Sequence, residues 1–184
     1  MRLAALLALL SAAAAPARAG CFAEDGMPVR AVYDDGSALE YLDREGEVLT
    51  YRSGEVVSRM QAGLWPLEHR GEGYLKQYQW DTPLPDLAEV IAAGGKARAE
   101  GRVTETKKAA LPVAVEIEVI GTRTVDWEDC RYEAVEFRKT MHREGRKMSE
   151  GVMLYAPAAM IAFRTESVEL ATGKTWSYAL EALE

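Results

Sequence analysis

Asparagine does not occur anywhere in the 184 residues, and its absence excludes every N-x-S/T glycosylation acceptor. Cysteine is nearly missing too. Cys21 and Cys130 are the whole supply, too few and too far apart for a C-x-x-C metal or redox motif. The two histidines, His69 and His142, lack the spacing of a zinc site, so no metal is expected. Positive charge is short as well, with 22 Lys and Arg against 29 Asp and Glu. A chain this acidic is a poor partner for nucleic acid or an anionic membrane surface, since both demand clustered cations. Its basic clusters are Lys107 with Lys108, Arg138 with Lys139, and Arg143 to Lys147. All are brief and mixed with acids or apolar residues, and they are read as solvated strand ends or hairpin tips. Beyond residue 15 no long uncharged apolar run remains, so no stable membrane span is expected there.

Catalytic and cofactor signatures are equally scarce. Neither G-x-S-x-G nor H-E-x-x-H occurs, and Gly71-x-Gly73 lacks the preceding apolar strand and following helix of a phosphate loop. Ser53, Ser58 and Ser149 stand in ordinary strand or turn context. No cofactor is expected, and the protein is read as non-catalytic.

What is present begins with Met1-Arg2, an uncharged Leu- and Ala-rich run to Ala15, and then Pro16-Ala17-Arg18-Ala19. A basic start, an apolar core and an A-x-A site form the layout of a secretory leader, with cleavage expected after Ala19. Residues 1–19 are therefore read as signal peptide and 20–184 as a single β-rich domain. Arginine outnumbers lysine and alanine is abundant, as in GC-rich bacteria, which points to the periplasm or the cell exterior. Removing two leader arginines makes the remaining charge (22 − 2) − 29 = −9. Cys21 stands just past that cleavage site and has two readings. Lipid anchoring usually needs Leu three positions upstream, where this chain has Arg18. A Cys21–Cys130 disulfide suits an oxidising compartment and closes a loop for which chain entropy suggests about 4–5 kcal/mol.

From Pro28 onward the pattern is alternation broken by turns. "VRAVY", "SALEYLD", "EVLTYRS" and "EVVSRMQAG" are separated by "DDG", "REG" and "SG", which predicts a four-stranded meander over 28–62. In "LWPLEHRGEGY" Pro66 and the glycines read as a break before a fifth strand, "YLKQYQW". Leu87, Val90 and Ile91 fall at helical spacing behind Asp86, so a short helix over 86–93 is expected inside a loop near 83–100. Strands return with "PVAVEIEVIG", "CRYEAVEFRKTMH", "SEGVMLYAP", "MIAFRTESVEL" and "KTWSYALEAL". The total is nine or ten strands.

Four features bear on function. Glu116 and Glu118 share one strand face and, with Glu68 beside His69, supply the carboxylates a hydrolase would use. Against them stands the ordinary reading of a solvated strand face and a surface histidine. The 63–85 segment, or an exposed sheet edge, offers a surface for an envelope interaction or structural protein. Trp65, Trp80, Trp127, Trp176, Tyr132 and Tyr155 are candidates to line an apolar ligand site if they converge on one concave face.

"GTRTVDWEDCRYEAVEFRKTMHREG" followed by "GVMLYAPAAMIAFR" resembles uncharacterised secreted proteins of alphaproteobacteria. More loosely, residues 112–182 are similar to periplasmic proteins with a curved, incompletely closed barrel, such as the lipoprotein carriers. The resemblance implies a hydrophobic cradle and transfers no functional residue. The expected fold is thus all-β or nearly so: an antiparallel curved sheet or incompletely closed β-barrel with one short helix. The expected function is that of a periplasmic or secreted carrier for a lipid-like small molecule or a lipidated protein.

Overall fold

Strict alternation of inward apolar and outward charged residues, punctuated by turns about every ten residues, leaves each strand its sequence neighbour to pair with. The computed structural model describes residue 22 and residues 26–184, so the expected leader and Cys21 lie outside the described residues. Twelve strands follow in order. The first six are β1 (Arg30–Tyr33), β2 (Ala38–Glu45), β3 (Val48–Ser53), β4 (Val56–Gln61), β5 (Trp65–Gly71) and β6 (Tyr74–Trp80). Helix α1 (Leu87–Ala92) then precedes β7 (Lys96–Glu105), β8 (Leu111–Trp127), β9 (Cys130–Arg143), β10 (Arg146–Ala156), β11 (Ile161–Glu169) and β12 (Thr175–Leu183). Each strand pairs antiparallel with the next, and β12 returns to pair with β1. The sheet closes into a barrel.

Two expectations change here. The barrel is closed rather than incomplete, because Ala31, Val32 and Tyr33 take Leu183, Ala182 and Leu180 as partners. The strand count is twelve because two strands are missed by the sequence patterns. β5 contains Pro66 and Gly71, yet Glu68 to Gly71 pair in register with Gln77 to Tyr74. β7 reads "KARAEGRVTE", with arginine, glutamate and alanine in place of β-branched residues. Its inward residues are small because they must be: a Cβ on Gly101 would lie 2.2 Å from the Gln79 carbonyl oxygen and 2.9 Å from Trp80 Cα. The segment expected as a 63–85 loop is therefore mostly strand, and closure leaves no free sheet edge among the described residues. The four-stranded meander and the short helix fall where expected, the latter capped by the Asp86 carboxylate, which accepts from the Ala88 and Glu89 amides.

Eight strands enclose an interior that side chains can just fill, and twelve enclose more. Large side chains take up much of the excess. Trp65, Leu64, Phe137, Ile117, Val115 and Ile161 are essentially inaccessible. The filling is lopsided. At one end, Ala62 and Leu64 from the β4–β5 turn, Leu87 from α1, and Ala159 and Met160 from the β10–β11 turn all join the core. Gly63 belongs to this plug. Its φ is +65°, and a Cβ there would lie 2.0 Å from the Tyr155 hydroxyl, which donates to the Ala62 carbonyl at 2.9 Å. At the other end the turns after β1, β3, β5, β7, β9 and β11 stand in solvent. The barrel is stoppered at one end and open at the other.

The outer wall carries charge. Arg98 pairs with Glu100 and Glu116, Lys96 and Arg138 with Glu118, and Arg164 with Glu136 and Glu166. A membrane barrel presents an apolar band in that position, so this wall faces water. Among the described residues no helix is long and apolar enough to cross a membrane.

Candidate functional site

Pairing across the sheet aligns inward residues into rows. One row runs Tyr41, Tyr51, Ser58, His69, Lys76 and Glu105 across β2 to β7. Another runs Trp176, Ser167, Gly151, Lys139 and Ile117 across β12 to β8. The interior between stopper and open end is thus polar on one side and mixed on the other.

Five tyrosines, Tyr33, Tyr41, Tyr51, Tyr155 and Tyr178, approach one another inside the barrel, and burial raises the pKa of each phenol. They act as neutral hydrogen-bonding groups at any physiological pH. Ser58 Oγ lies 2.8 Å from His69 Nδ1. His69 is held down to about 4, first by burial and then by the nearby ammonium groups of Lys76 and Lys139. A base so weakened, with cations rather than a carboxylate beside it, is a poor proton acceptor for Ser58. Glu68 does not help. It alternates to the outer face, where it pairs with Arg70 and accepts from Gln77. Glu116 and Glu118 are likewise on the outer wall in ion pairs, so the structure assembles neither carboxylate arrangement into a catalytic site.

The depressed His69 value has a measurable consequence. Its folded pKa lies below the unfolded value of about 6.5, so on acidification the unfolded chain takes up the proton first. Stability from this group is complete above about pH 6.5 and is lost as pH falls towards about 4. Urea midpoints should drop between pH 7 and pH 5, a range above the titration of the paired carboxylates. The drop should shrink in His69→Gln, which keeps a partner for Ser58; an unchanged drop would assign the effect elsewhere.

Towards the open end the cations are mostly neutralised. Glu105 receives Arg143 at 2.7 Å, Lys108 at 2.6 Å and Lys76 at 3.8 Å. Lys139 differs. Its ammonium donates to the Leu64 carbonyl in the stopper, and among the described residues no carboxylate contacts it. The residue is half-buried and borders a pocket, and burial alone pulls its pKa down to about 8, leaving it mainly charged at neutral pH.

That pocket has a volume of about 240 Å³. Met141, Met153, Tyr178 and Trp176 line it, with Lys139 and Thr165 among its polar groups. Thr165 is 6 % exposed and its hydroxyl has no hydrogen-bond partner; the Tyr178 hydroxyl comes near without reaching hydrogen-bond geometry. The acid on the wall, Glu150, is occupied by Lys147 and the Thr140 hydroxyl. A more open hollow of about 420 Å³ shares Glu150, Gly151, Val152, Ser167 and Trp176 with the pocket and extends over Val168 and Glu166 on the outward side of β11.

Of the aromatic candidates, Trp176 borders both spaces and is 39 % exposed. The others are placed elsewhere. Trp65 fills the core with Trp80 edge-on at 6.5 Å, and Trp80 donates to the Pro66 carbonyl. Trp127 and Tyr132 pack on Phe163, and Tyr155 bonds the stopper. The residue missed by the sequence patterns is Lys139. Alternation of Val135 and Phe137 against Glu136 and Arg138 is plain in "VEFRKTM", and carrying it one step further puts Lys139 on the Phe137 face.

At the N-terminal side, the Phe22 amide donates to the Tyr132 hydroxyl at 3.3 Å, two residues from Cys130. Cys130 is not a free cysteine. Among the described residues no cluster of three or more His, Cys, Asp or Glu side chains is arranged to hold a metal.

No protein-family model and no curated protein matches the chain. Among solved structures it is similar to the hypothetical lipoprotein YmcC from Escherichia coli (K12), with a TM-score of 0.52 and 9 % identity over 86 % of this chain and 89 % of that one. At that identity the likeness concerns the fold alone.

Proposed function

We propose that the protein is a periplasmic or secreted carrier-type binding protein that takes an apolar or amphiphilic ligand through the open end of its barrel. One observation carries this reading: the stoppered interior ends in a pocket with Met141, Met153 and Trp176 on its wall, together with Thr165, whose hydroxyl is unsatisfied among the described residues, and Lys139, which no described carboxylate meets. An apolar pocket with a few convergent polar groups is the usual form of a small-molecule site. The space is far smaller than an open cradle, so a small ligand, or one chain of a lipid, fits better than a whole lipidated protein. The leader-like residues 1–19 and the description of the similar fold as a lipoprotein support an envelope location.

A neutral naphthylamine dye should bind with one-to-one stoichiometry, gain fluorescence and quench Trp176. Ser167→Trp, which fills the pocket, should weaken uptake at least tenfold while melting stays cooperative. Undiminished uptake by that variant would exclude the pocket as the site.

Cys21 is proposed to bond Cys130. The support is local: the residue after Cys21 is tied to Tyr132, and Cys130 is not a free cysteine. Intact mass of the purified chain should rise on reduction by the two hydrogens of one disulfide. A lipid-sized excess of mass at the N-terminus would instead establish the anchor.

A further inference from the structure

We infer that the pocket selects single-chain anionic amphiphiles, an acyl or alkyl chain ending in a carboxylate or phosphate ester, bound head-first with the anion on Lys139. This rests on the carrier reading above and specifies its ligand class.

The argument starts from charge balance. Cations around Lys139 have acids to meet them: Lys76, Lys108 and Arg143 share Glu105, Arg138 meets Glu118, and Lys147 meets Glu150. Lys139 has the Leu64 carbonyl, which satisfies one of three ammonium protons and supplies no formal charge. A half-buried cation without a counter-ion is costly, and a ligand anion would reduce that cost on binding.

Geometry adds the second element. Thr165 borders the same pocket; its hydroxyl is buried and lacks a hydrogen-bond partner among the described residues, with the Tyr178 hydroxyl close by. A hydroxyl donor on the wall shared with Lys139 suits the oxygens of a carboxylate or phosphate, each of which accepts several hydrogen bonds. The acidic Glu150 is already taken by Lys147 and Thr140, so it does not compete for Lys139.

The walls set the rest of the ligand. Met141 and Met153 are unbranched and adapt to an alkyl chain. A volume of about 240 Å³ corresponds to roughly eight waters, room for a head group and the first few carbons. The remaining tail then runs out through the open end past the exposed Trp176. Tail-first entry would leave the ammonium without a counter-ion and put methyl groups against it.

The test titrates the purified full chain by calorimetry with decanoate, decyl phosphate, decanol and inorganic phosphate. Decanoate and decyl phosphate, which stand for fatty acids and phosphate-headed lipids, should each bind at least tenfold more tightly than decanol; a gap between the two identifies the favoured head. Inorganic phosphate should bind far more weakly than decyl phosphate. Lys139→Met should abolish the preference for charged heads, leave decanol binding intact and raise the melting temperature of the ligand-free chain, whereas Lys139→Arg should keep the preference. Equal affinity for decanol and decanoate overturns the inference while leaving the carrier reading in place, as does a preference that survives Lys139→Met. Inorganic phosphate binding as tightly as decyl phosphate overturns the amphiphile part. No binding of any of the four, together with no dye uptake, overturns the inference and the carrier reading together.

Discussion

Truncating Trp65 to alanine is expected to lower the unfolding free energy by about 3–5 kcal/mol, the range for removing a large aromatic from a packed core. Trp65 has no solvent exposure, packs edge-on against Trp80 and sits beside the Leu64 stopper residue. Neighbours held by barrel closure cannot collapse into the space left behind, which places the cost at the upper end. Among the described residues the indole N–H has no hydrogen-bond partner, so the nitrogen contributes nothing to the favourable side. Trp65→Phe should therefore cost much less than Trp65→Ala, by the volume lost and not by a broken bond. Urea denaturation of both variants checks this. Similar losses for the two would mean that the indole nitrogen has a partner after all.

Gly101→Ala is expected to cost about 2–3 kcal/mol for the addition of a single methyl group. The atoms it would meet are backbone, the Gln79 carbonyl and Trp80 Cα, and a paired strand cannot swing aside as a flexible side chain can. Relief requires β6 and β7 to separate locally, and the register from Lys76 with Glu105 to Trp80 with Gly101 should loosen along its length. Hydrogen exchange in β6 and β7 should accelerate more than in β9 and β10. A change below about 0.5 kcal/mol would show that the strands are not held this closely.

Hairpin spacing and period two made the antiparallel architecture legible, and Asp86 with Leu87, Val90 and Ile91 marked the helix correctly. β7 escaped because its inward row, Ala97, Ala99, Gly101 and Val103, is small where strand patterns look for branched or aromatic residues. That row is small to let β6 approach, a tertiary demand with no local signature. β5 escaped because proline and glycine look like breakers, though Pro66 is fully buried and pairs with Met60 at an irregularity in the ladder. Closure was illegible for a different reason: it depends on four residues of β1 finding β12 across nearly the whole chain. The candidate site divides in the same way. Trp176 was found by residue type and Lys139 lost by it, since a lysine beside an arginine suggests a wet surface until strand parity is followed through.

The pairing of β1 with β12 also fixes when this molecule can become itself. A chain emerging from its N-terminus can build hairpins one after another, but each partial sheet has two open borders until the final nine-residue strand arrives. Closure thus waits for β12, by a contact of very high sequence separation and correspondingly slow formation. The same dependence makes β12 the segment whose loss would turn a closed barrel into a sheet with two exposed edges.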